Sequence, residues 1–413
     1  MTTYRQHGQP ENAPKEQHPV NADPSPNPES PNLESLDPES TNLESPNPES
    51  DKRKSRKQKS LNPEKAGIAL LTDHRYTAAR ADKDDWYLAN ILRDDALLQV
   101  ALSDLGISSV RVDWADAGID WSAFSCAVFR TTWDYFERIP EFLSWLGNIE
   151  NDTLLCNEAA LIRWNLDKHY LADLEQQDIP IVPTRFLEPG SEATLSDVIN
   201  ETGWHDAILK PCISGAARHT YRINRTNAGR IHSELQPLLN TESFIIQPFL
   251  ADILHSGEDT LILIDGEYTH AVTKKPKPGD FRVQDDHGGT VHHCRPTREQ
   301  IELAERTIAA CRTVTQPATR TVNRPATRTV NQPSTGAATR TVTQPATGAA
   351  TRTATGTTVS RSGPVYGRVD MVRDSHGDWR VMELELIEPE LWLRNHPPAA
   401  RALAHAIARF LKS

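Results

Sequence analysis

The pattern of apolar and polar positions divides the chain into a patterned body and two stretches without any pattern. Ala66 to Thr72 is a continuous apolar run, which predicts a strand buried on both faces. From Asp84 to Leu105 apolar residues recur at helical spacing (Leu88, Ile91, Leu92, Leu97, Leu98, Ala101), and Gly106 ends the pattern. Val110-Arg-Val and Ala127 to Arg130 predict two more strands, and Pro140 to Leu146 another helix. This strand–helix alternation predicts a small parallel α/β domain over residues 65–155. Asn157 to Gln177 reads as one helix. After it come predicted strands near 184–187, 207–210, 220–223, 244–247, 260–264 and 268–272, with helices at 194–202, 229–239 and 297–311. Pro398 to Lys412 predicts an amphipathic terminal helix.

Near the C-terminus, Val365–Val372 and Trp379–Ile387 alternate on either side of the turn Asp374-Ser-His-Gly377, which predicts two paired strands. Side chains repeat every two residues along a strand. Strict alternation would therefore put Val381, Glu383, Glu385 and Ile387 on one face and Met382, Leu384 and Leu386 on the other. Glu is depleted in strands, and adjacent carboxylates repel unless something positive lies between them. With Asp370 facing the same way, the three carboxylates form an oxygen set suited to Mg²⁺. The plainer alternative is a solvated strand face.

The unpatterned stretches are residues 1–64 and 312–363. In the first, a five-residue repeat ends at Ser30, Ser35, Ser40, Ser45 and Ser50, and a basic run follows over Lys52–Lys59. The second repeats Arg-Thr-Val-x-x-Pro-Ala-Thr, with almost no large apolar side chain. Neither can bury enough apolar surface to offset its ordering entropy, so both are expected to be disordered. The second would be an insertion in a helix-to-strand connection, tolerable because closure entropy grows only logarithmically with length.

The whole chain has 413 residues and a formal net charge of -11, which weighs against bulk nucleic-acid binding. No apolar run reaches membrane-spanning length and the polar start lacks a signal-peptide core. The five cysteines form no Cys-x-x-Cys pair and read as reduced thiols, so the expected location is the cytoplasm.

Further chemistry-bearing residues fall at strand ends. Lys210 precedes the small-residue loop Pro211-Cys-Ile-Ser214-Gly215-Ala-Ala217, where an ammonium and free backbone N–H groups suit phosphate, although an ordinary turn reads the same way. Lys168 is a weaker candidate on the first helix after residue 155. Gln247-Pro-Phe249-Leu250 is a hinge, and Gly257-Glu258 follows eleven residues past Gln247. Lys274 begins a basic, glycine-punctuated loop that ends at Gly288-Gly289. His287, His292, His293 and Cys294 could be drawn as zinc ligands, but their spacing fits no structural site.

In this order, Lys168, Lys210 with its loop, Gln247-Pro-Phe, Gly-Glu258, Lys274, Gly288-Gly289, Arg368-Val-Asp370 and Glu383-Leu-Glu385 resemble the ATP-grasp superfamily. The wording Gln-Pro-Phe-Leu, Thr269-His270-Ala-Val-Thr-Lys274, Met-Glu-Leu-Glu-Leu-Ile-Glu-Pro and Arg130-Thr-Thr-Trp-Asp-Tyr is similar to the branch holding prokaryotic glutathione synthetase, ribosomal-protein glutamate ligases and the cyclo-ligase of cycloserine biosynthesis.

The resemblance covers residues 65–311 and 364–411. It implies an α/β fold in which a small parallel domain precedes an ATP-grasp domain of two α+β subdomains, over residues 156–411, with ATP between them. It implies Lys168, Lys210, Ser214 and Gly215 on the phosphates and Gln247, Phe249 and Leu250 at the adenine. Glu258 would take the ribose. Asp370, Glu383 and Glu385 would hold two Mg²⁺, with Mn²⁺ an alternative ion. Arg368 and Lys274 would face the transferred phosphoryl group.

The implied activity is an ATP- and Mg²⁺-dependent amide-forming ligase acting through an acyl phosphate on a small amino-acid or peptide-like substrate. The alternative is an ATP-binding regulatory module without turnover. Small-molecule partners are expected, with a homo-oligomer left open. Many members have Asn where this chain has Glu385, so its empty site should be more negative and bind metal-free ATP less well.

Overall fold

The computed structural model describes residues 66–314 and 363–413. The tail repeat, the basic run and most of the second repeat fall outside the described residues.

The first sheet is built from β1 (Ala66–Thr72), β2 (Ser109–Asp113), β3 (Phe124–Thr131) and β4 (Leu154–Cys156), with α1 (Trp86–Ser103) and α2 (Ile139–Ile149) in the connections. All strands are parallel, in the order β2-β1-β3-β4. Both faces are covered, which explains the continuous apolar runs. Ile68, Leu70 and Val128 face one core, with Leu98 and Leu102 of α1. Leu71, Ala127 and Phe129 face the other, with Trp114, Phe142 and Leu146.

The helix expected over Asn157–Gln177 is instead two short ones, α3 (Ala159–Asn165) and α4 (Tyr170–Glu175). Asp167 causes the break. Its carboxylate accepts from the His169 N–H at 3.0 Å, a local bond that competes with helix geometry. The Lys168 N–H leaves the helix pattern and donates to the Cys212 carbonyl at 3.0 Å.

An antiparallel sheet in the order β5-β8-β6-β7 follows, from β5 (Arg185–Leu187), β6 (Asp206–Pro211), β7 (Tyr221–Asn224) and β8 (Phe244–Pro248). The helices α5 (Leu195–Thr202) and α6 (Ala228–Leu239) share a core with it, through Ile199, Leu209, Ile231 and Ile246. A capping box between Thr194 and Asp197 starts α5, and Gly203 at φ 69° ends it.

The last sheet has the order β11-β10-β9-β12-β13, all antiparallel. Its strands are β9 (Glu258–Ile264), β10 (Glu267–Lys275), β11 (Thr290–His293), β12 (Tyr366–Arg373) and β13 (Trp379–Glu385). Two helices accompany it, α7 (Arg298–Val314) and α8 (Pro398–Phe410). One sheet face carries Leu261, Val369, Met371 and Leu384 onto Leu303 and Ile308 of α7 and onto Leu171 and Leu174 of α4. The terminal helix α8 packs Leu403 and Ile407 into the core that also holds Leu98 and Ile262. Arg312 of α7 lies against Gly363, so the two described ends flanking residues 315–362 are neighbours.

Strict alternation fails in β13. Asp370 pairs with Glu383 but Met371 pairs with Val381, so Met382 is the extra residue of a β-bulge. Val381 therefore turns into the apolar core with Leu384, and Met382 lines the cleft described below.

As an edge strand, β13 would leave one row of backbone groups unpaired. The backbone of Pro180 and Val182 pairs with Val381, and side chains satisfy groups further along. Asn165 donates to the Leu384 carbonyl (2.9 Å) and accepts from the Leu386 N–H (2.8 Å), and the Tyr170 hydroxyl accepts from the Leu384 N–H (3.0 Å). Buried Asn157 donates to the carbonyls of Tyr366 (3.0 Å) and Leu386 (2.8 Å) and accepts from the Val365 N–H (2.7 Å).

A buried backbone group left without a partner costs about 1–3 kcal/mol. Asn157→Ala is therefore expected to lower unfolding free energy by at least about 2 kcal/mol. Urea denaturation checks this, and an unchanged midpoint would mean that water replaces the amide.

Candidate active site

A cleft of about 350 Å³ runs between the two antiparallel sheets and is closed at one end by the parallel-sheet domain. The break between α3 and α4 turns Lys168 into it. The ammonium donates to the Ser214 carbonyl at 2.8 Å and lies 3.2 Å from Glu383. Lys210, at the end of β6, approaches the other oxygen of Glu383 at 3.9 Å. Burial lowers the Lys210 pKa, only partly opposed by Glu383. Burial also works against the Lys168 charge, but Glu383 outweighs it and the pKa rises.

The loop after Lys210 is tightly formed. The Ser214 hydroxyl donates to the Pro211 carbonyl at 3.1 Å. Gly215 lies so close to Phe136 that a Cβ there would meet the ring at 2.6 Å. Ala216, Ala217 and His219 have φ of 48°, 53° and 47°, an unusual run of left-handed non-glycine residues.

On the five-stranded sheet, cross-strand pairing fixes a ladder of charges on one face. Asp370 is opposite Glu383 on one side and Thr260 on the other, Arg368 is opposite Glu385, and Glu258 is opposite Lys274. Asp370 is only 2% exposed. It accepts from Arg368 (3.0 and 2.9 Å), Lys274 (2.9 Å) and the Thr260 hydroxyl (2.9 Å). Burial raises its pKa, but the guanidinium and ammonium outweigh this and hold it well below the usual carboxylate range.

For Glu383, burial is likewise overcome, by Lys168 and Lys210, and the pKa is held down at about 2. Glu385 behaves oppositely. Burial pushes it up, the Arg368 ion pair opposes, and the neighbouring charges of Asp370 and Glu383 push it further, to about 8.

Asp370, Glu383 and Glu385 offer oxygen donors only, the chemistry that fits Mg²⁺. They are spread along the ladder, Asp370 and Glu385 both on Arg368 and Glu383 on Lys168 and Lys210, and their donor atoms do not form a group within 4.8 Å. Among the described residues, the group whose donor atoms all lie within 4.8 Å of one another is Asp167, His169 and Cys212. His287, His292, His293 and Cys294 do not form such a group.

Glu258 stands beside Lys274 on the ladder. It lies 2.5 Å from Lys274, which in turn holds Asp370. It is 6% exposed, belongs to the charge ladder of the five-stranded sheet and lines the cleft. Lys274 is enclosed between Glu258 and Asp370, and their charges overcome burial to raise its pKa.

At the opposite end of the cleft, the Gln247 amide donates to the Thr184 hydroxyl at 3.0 Å. Phe249 stacks under Arg222 (4.0 Å to the ring centre) and meets Phe281 edge-on (6.0 Å). Met382, Ile208 and Leu250 add apolar surface to the lining.

Sequence reasoning left Tyr76, Tyr87, Trp133, Glu388 and Met382 without a role, yet all line the cleft. The Arg130-Thr-Thr-Trp stretch was the available signal for Trp133. Met382 was hidden by the bulge.

Comparison with known proteins agrees with this architecture. The family described as "D-cycloserine synthetase DcsG, N-terminal domain" matches residues 68–157. That described as "Prokaryotic glutathione synthetase, ATP-grasp domain" matches residues 180–315. The cycloserine biosynthesis protein DcsG of Streptomyces lavendulae is 30% identical over 320 residues, covering 76% of this chain and 92% of that protein. The glutathione synthetase of Bradyrhizobium diazoefficiens is 26% identical over 174 residues, 41% of this chain and 50% of that one.

Among solved structures, D-cycloserine synthetase DcsG aligns with a TM-score of 0.63 at 27% identity, covering 83% of this chain and 99% of that one. The D-alanine–D-alanine ligase of Bacillus anthracis, at 12% identity and a TM-score of 0.51 over 84% of this chain and 97% of that one, shares the fold.

The fold and the cleft between its sheets are those of an ATP-grasp enzyme. The chain belongs, within that superfamily, to the family of the cycloserine synthetase DcsG. It is an ATP-dependent ligase that forms carbon–nitrogen bonds, and enzymes of this fold use ATP with divalent metal ions.

A pH prediction follows from Glu385. Its folded pKa of about 8 exceeds the model-peptide value of about 4.3. The stabilisation it contributes is therefore complete below about pH 4.3 and lost as pH rises towards about 8. In metal-free solution, Glu385→Gln should gain stability relative to wild type across that window, by at most about 1.4 kcal/mol per pH unit. Unfolding measured at several pH values checks this, and a difference independent of pH would contradict it.

Proposed function

We propose that the enzyme activates the carboxylate of a small amino acid and closes a ring on it, as a cycloserine-forming ligase. Cycloserine is a five-membered cyclic amide that keeps a primary amine. Opening its amide on paper gives an open-chain O-amino-serine, with carboxylate and attacking nitrogen in one molecule. The observation that carries the reading is the sheet-borne charge ladder facing Lys168 and Lys210, which presents matched charges to a polyphosphate.

In this reading Lys168, Lys210 and the Ser214-Gly215 loop hold the ATP phosphates. Gln247, Phe249 and Leu250 border the adenine. Asp370, Glu383 and Glu385 hold the divalent ions, two Mg²⁺ with Mn²⁺ as substitute. Bound there, the ions supply charge neutralisation for phosphoryl transfer.

The substrate carboxylate oxygen attacks the γ-phosphorus, the bond to the β-phosphate oxygen breaks, and ADP and an acyl phosphate result. Lys168 and Lys210 keep the transferred group neutralised. The substrate's own nitrogen then attacks the acyl carbon and phosphate leaves. Arg368 donates to the oxyanion of that tetrahedral step, a contribution of roughly 3 kcal/mol in comparable sites. For it to do so, the pairing of Arg368 with Asp370 and Glu385 must loosen.

Among the described residues no helix is long and apolar enough to cross a membrane. We place the enzyme in the cytoplasm, with ATP and small molecules as its partners and a homo-oligomer as the state to be tested.

ADP release from ATP and Mg²⁺ should depend on O-amino-D-serine or its L-enantiomer, with cycloserine as product by mass spectrometry. Glu383→Gln should lower kcat at least about a hundredfold, the scale of losing a charge-stabilising group. Wild-type turnover in that variant would remove the metal assignment. ATP binding without ADP release for any amino acid would favour the regulatory alternative.

A further inference from the structure

The parallel-sheet domain closes one end of the cleft with an aromatic wall. Trp133, Tyr76 and Tyr87 pack together with ring centres 5.5 Å (Tyr76–Trp133), 5.9 Å (Tyr87–Trp133) and 6.2 Å (Tyr76–Tyr87) apart. All three are half-buried and line the cleft. The Trp133 indole N–H donates to the Glu388 backbone carbonyl at 2.9 Å, which fixes this wall against the segment after β13. Arg75 already stacks on Tyr76 at 5.3 Å and is tied to Asp73, and Trp86 meets Tyr87 edge-on at 5.5 Å.

Glu388, whose backbone Trp133 holds, also lines the cleft, and its side chain meets the Tyr135 hydroxyl. The other inner carboxylates have basic partners: Asp370 has Arg368 and Lys274, Glu383 has Lys168 and Lys210, Glu385 has Arg368, Glu258 has Lys274 and Glu390 has Arg394. Among the described residues no ion pair within 4.0 Å involves Glu388. Burial pushes its pKa up to about 7, against the Tyr135 hydroxyl and the more distant Lys168 and Arg368. A partly buried carboxylate beside aromatic faces is a receptor for a compact cation: the carboxylate takes its N–H donors and the rings its remaining charge.

We propose that Glu388, with the rings of Trp133 and Tyr87, binds the non-reacting ammonium group of the substrate and so makes the enzyme selective for amino acids with a free amine. This rests on the ring-closing reading above and deepens it. The reacting carboxylate would point from this ammonium site towards Arg368 and the phosphates, which sets the order of groups along the cleft.

The test is calorimetric binding of D-cycloserine and of its N-acetyl derivative, with ADP and Mg²⁺ present, to wild type, Glu388→Gln and Glu388→Asp. Wild type should prefer the free amine by roughly tenfold to a hundredfold, the worth of one charge-assisted hydrogen bond. Glu388→Gln should lose that preference while binding ADP as wild type does, and Glu388→Asp should keep part of it. If the glutamine variant fails to bind ADP because it is misfolded, the aspartate variant carries the same comparison with a smaller loss. Equal binding of D-cycloserine by wild type and variant, equal binding of its N-acetyl derivative by wild type, or no wild-type binding would each overturn the proposal. Because the readout is binding, a failure of ATP turnover would count against the ring-closing reading separately.

Discussion

Burying like charges side by side on one sheet face is the constraint on which the site depends. Asp370, Glu383, Glu385 and Glu258 come from three adjacent strands, and removing them from water without compensation would cost several kcal/mol each. Compensation is supplied by Arg368 and Lys274 within the sheet and by Lys168 and Lys210 from across the cleft. In this arrangement the cations stand where polyphosphate and metal charge would be exchanged for protein charge. A ligand that brings both signs can enter without leaving a buried ion unpaired.

The surrounding structure serves that exchange. Asp167 breaks the helix so that Lys168 reaches Glu383, and Asn165 and Tyr170, on either side of the break, hold the edge of the strand that carries Glu383 and Glu385. One short segment thus sets both partners of an ion pair. Asn157 ties the same strand to β12 from the end of the first sheet, and Trp133 fixes the first domain to the segment just beyond it. Both ends of the cleft are therefore referenced to one edge strand.

Much of this was legible in the sequence. Alternation around the Asp374–Gly377 turn put Glu383 and Glu385 on one face, because the period of a strand leaves little freedom, and the pairing then sets them opposite Asp370 and Arg368. The parallel sheet was legible from continuous apolar runs. The helix break was not, because its cause is a side-chain hydrogen bond at Asp167 and a carbonyl 44 residues away, neither of which alters the apolar period. The bulge at Met382 was not, since one inserted residue leaves composition untouched and only moves Val381 and Met382 to opposite sides. The ion pair between Glu258 and Lys274 was not legible either, because it comes from pairing across β9 and β10. The aromatic wall joins Tyr76 of the β1–α1 connection, Tyr87 at the start of α1 and Trp133 of the β3–α2 connection, which no local pattern reports.

The central claim is that a substrate carboxylate is phosphorylated on this ladder before the amide forms. The direct measurement uses O-amino-serine labelled with ¹⁸O in its carboxylate, unlabelled ATP and Mg²⁺, with mass analysis of the released phosphate. An acyl phosphate hands one carboxylate oxygen to phosphorus, so each turnover should yield phosphate bearing one ¹⁸O. Phosphate free of the label, formed together with the cyclic product, would contradict the account.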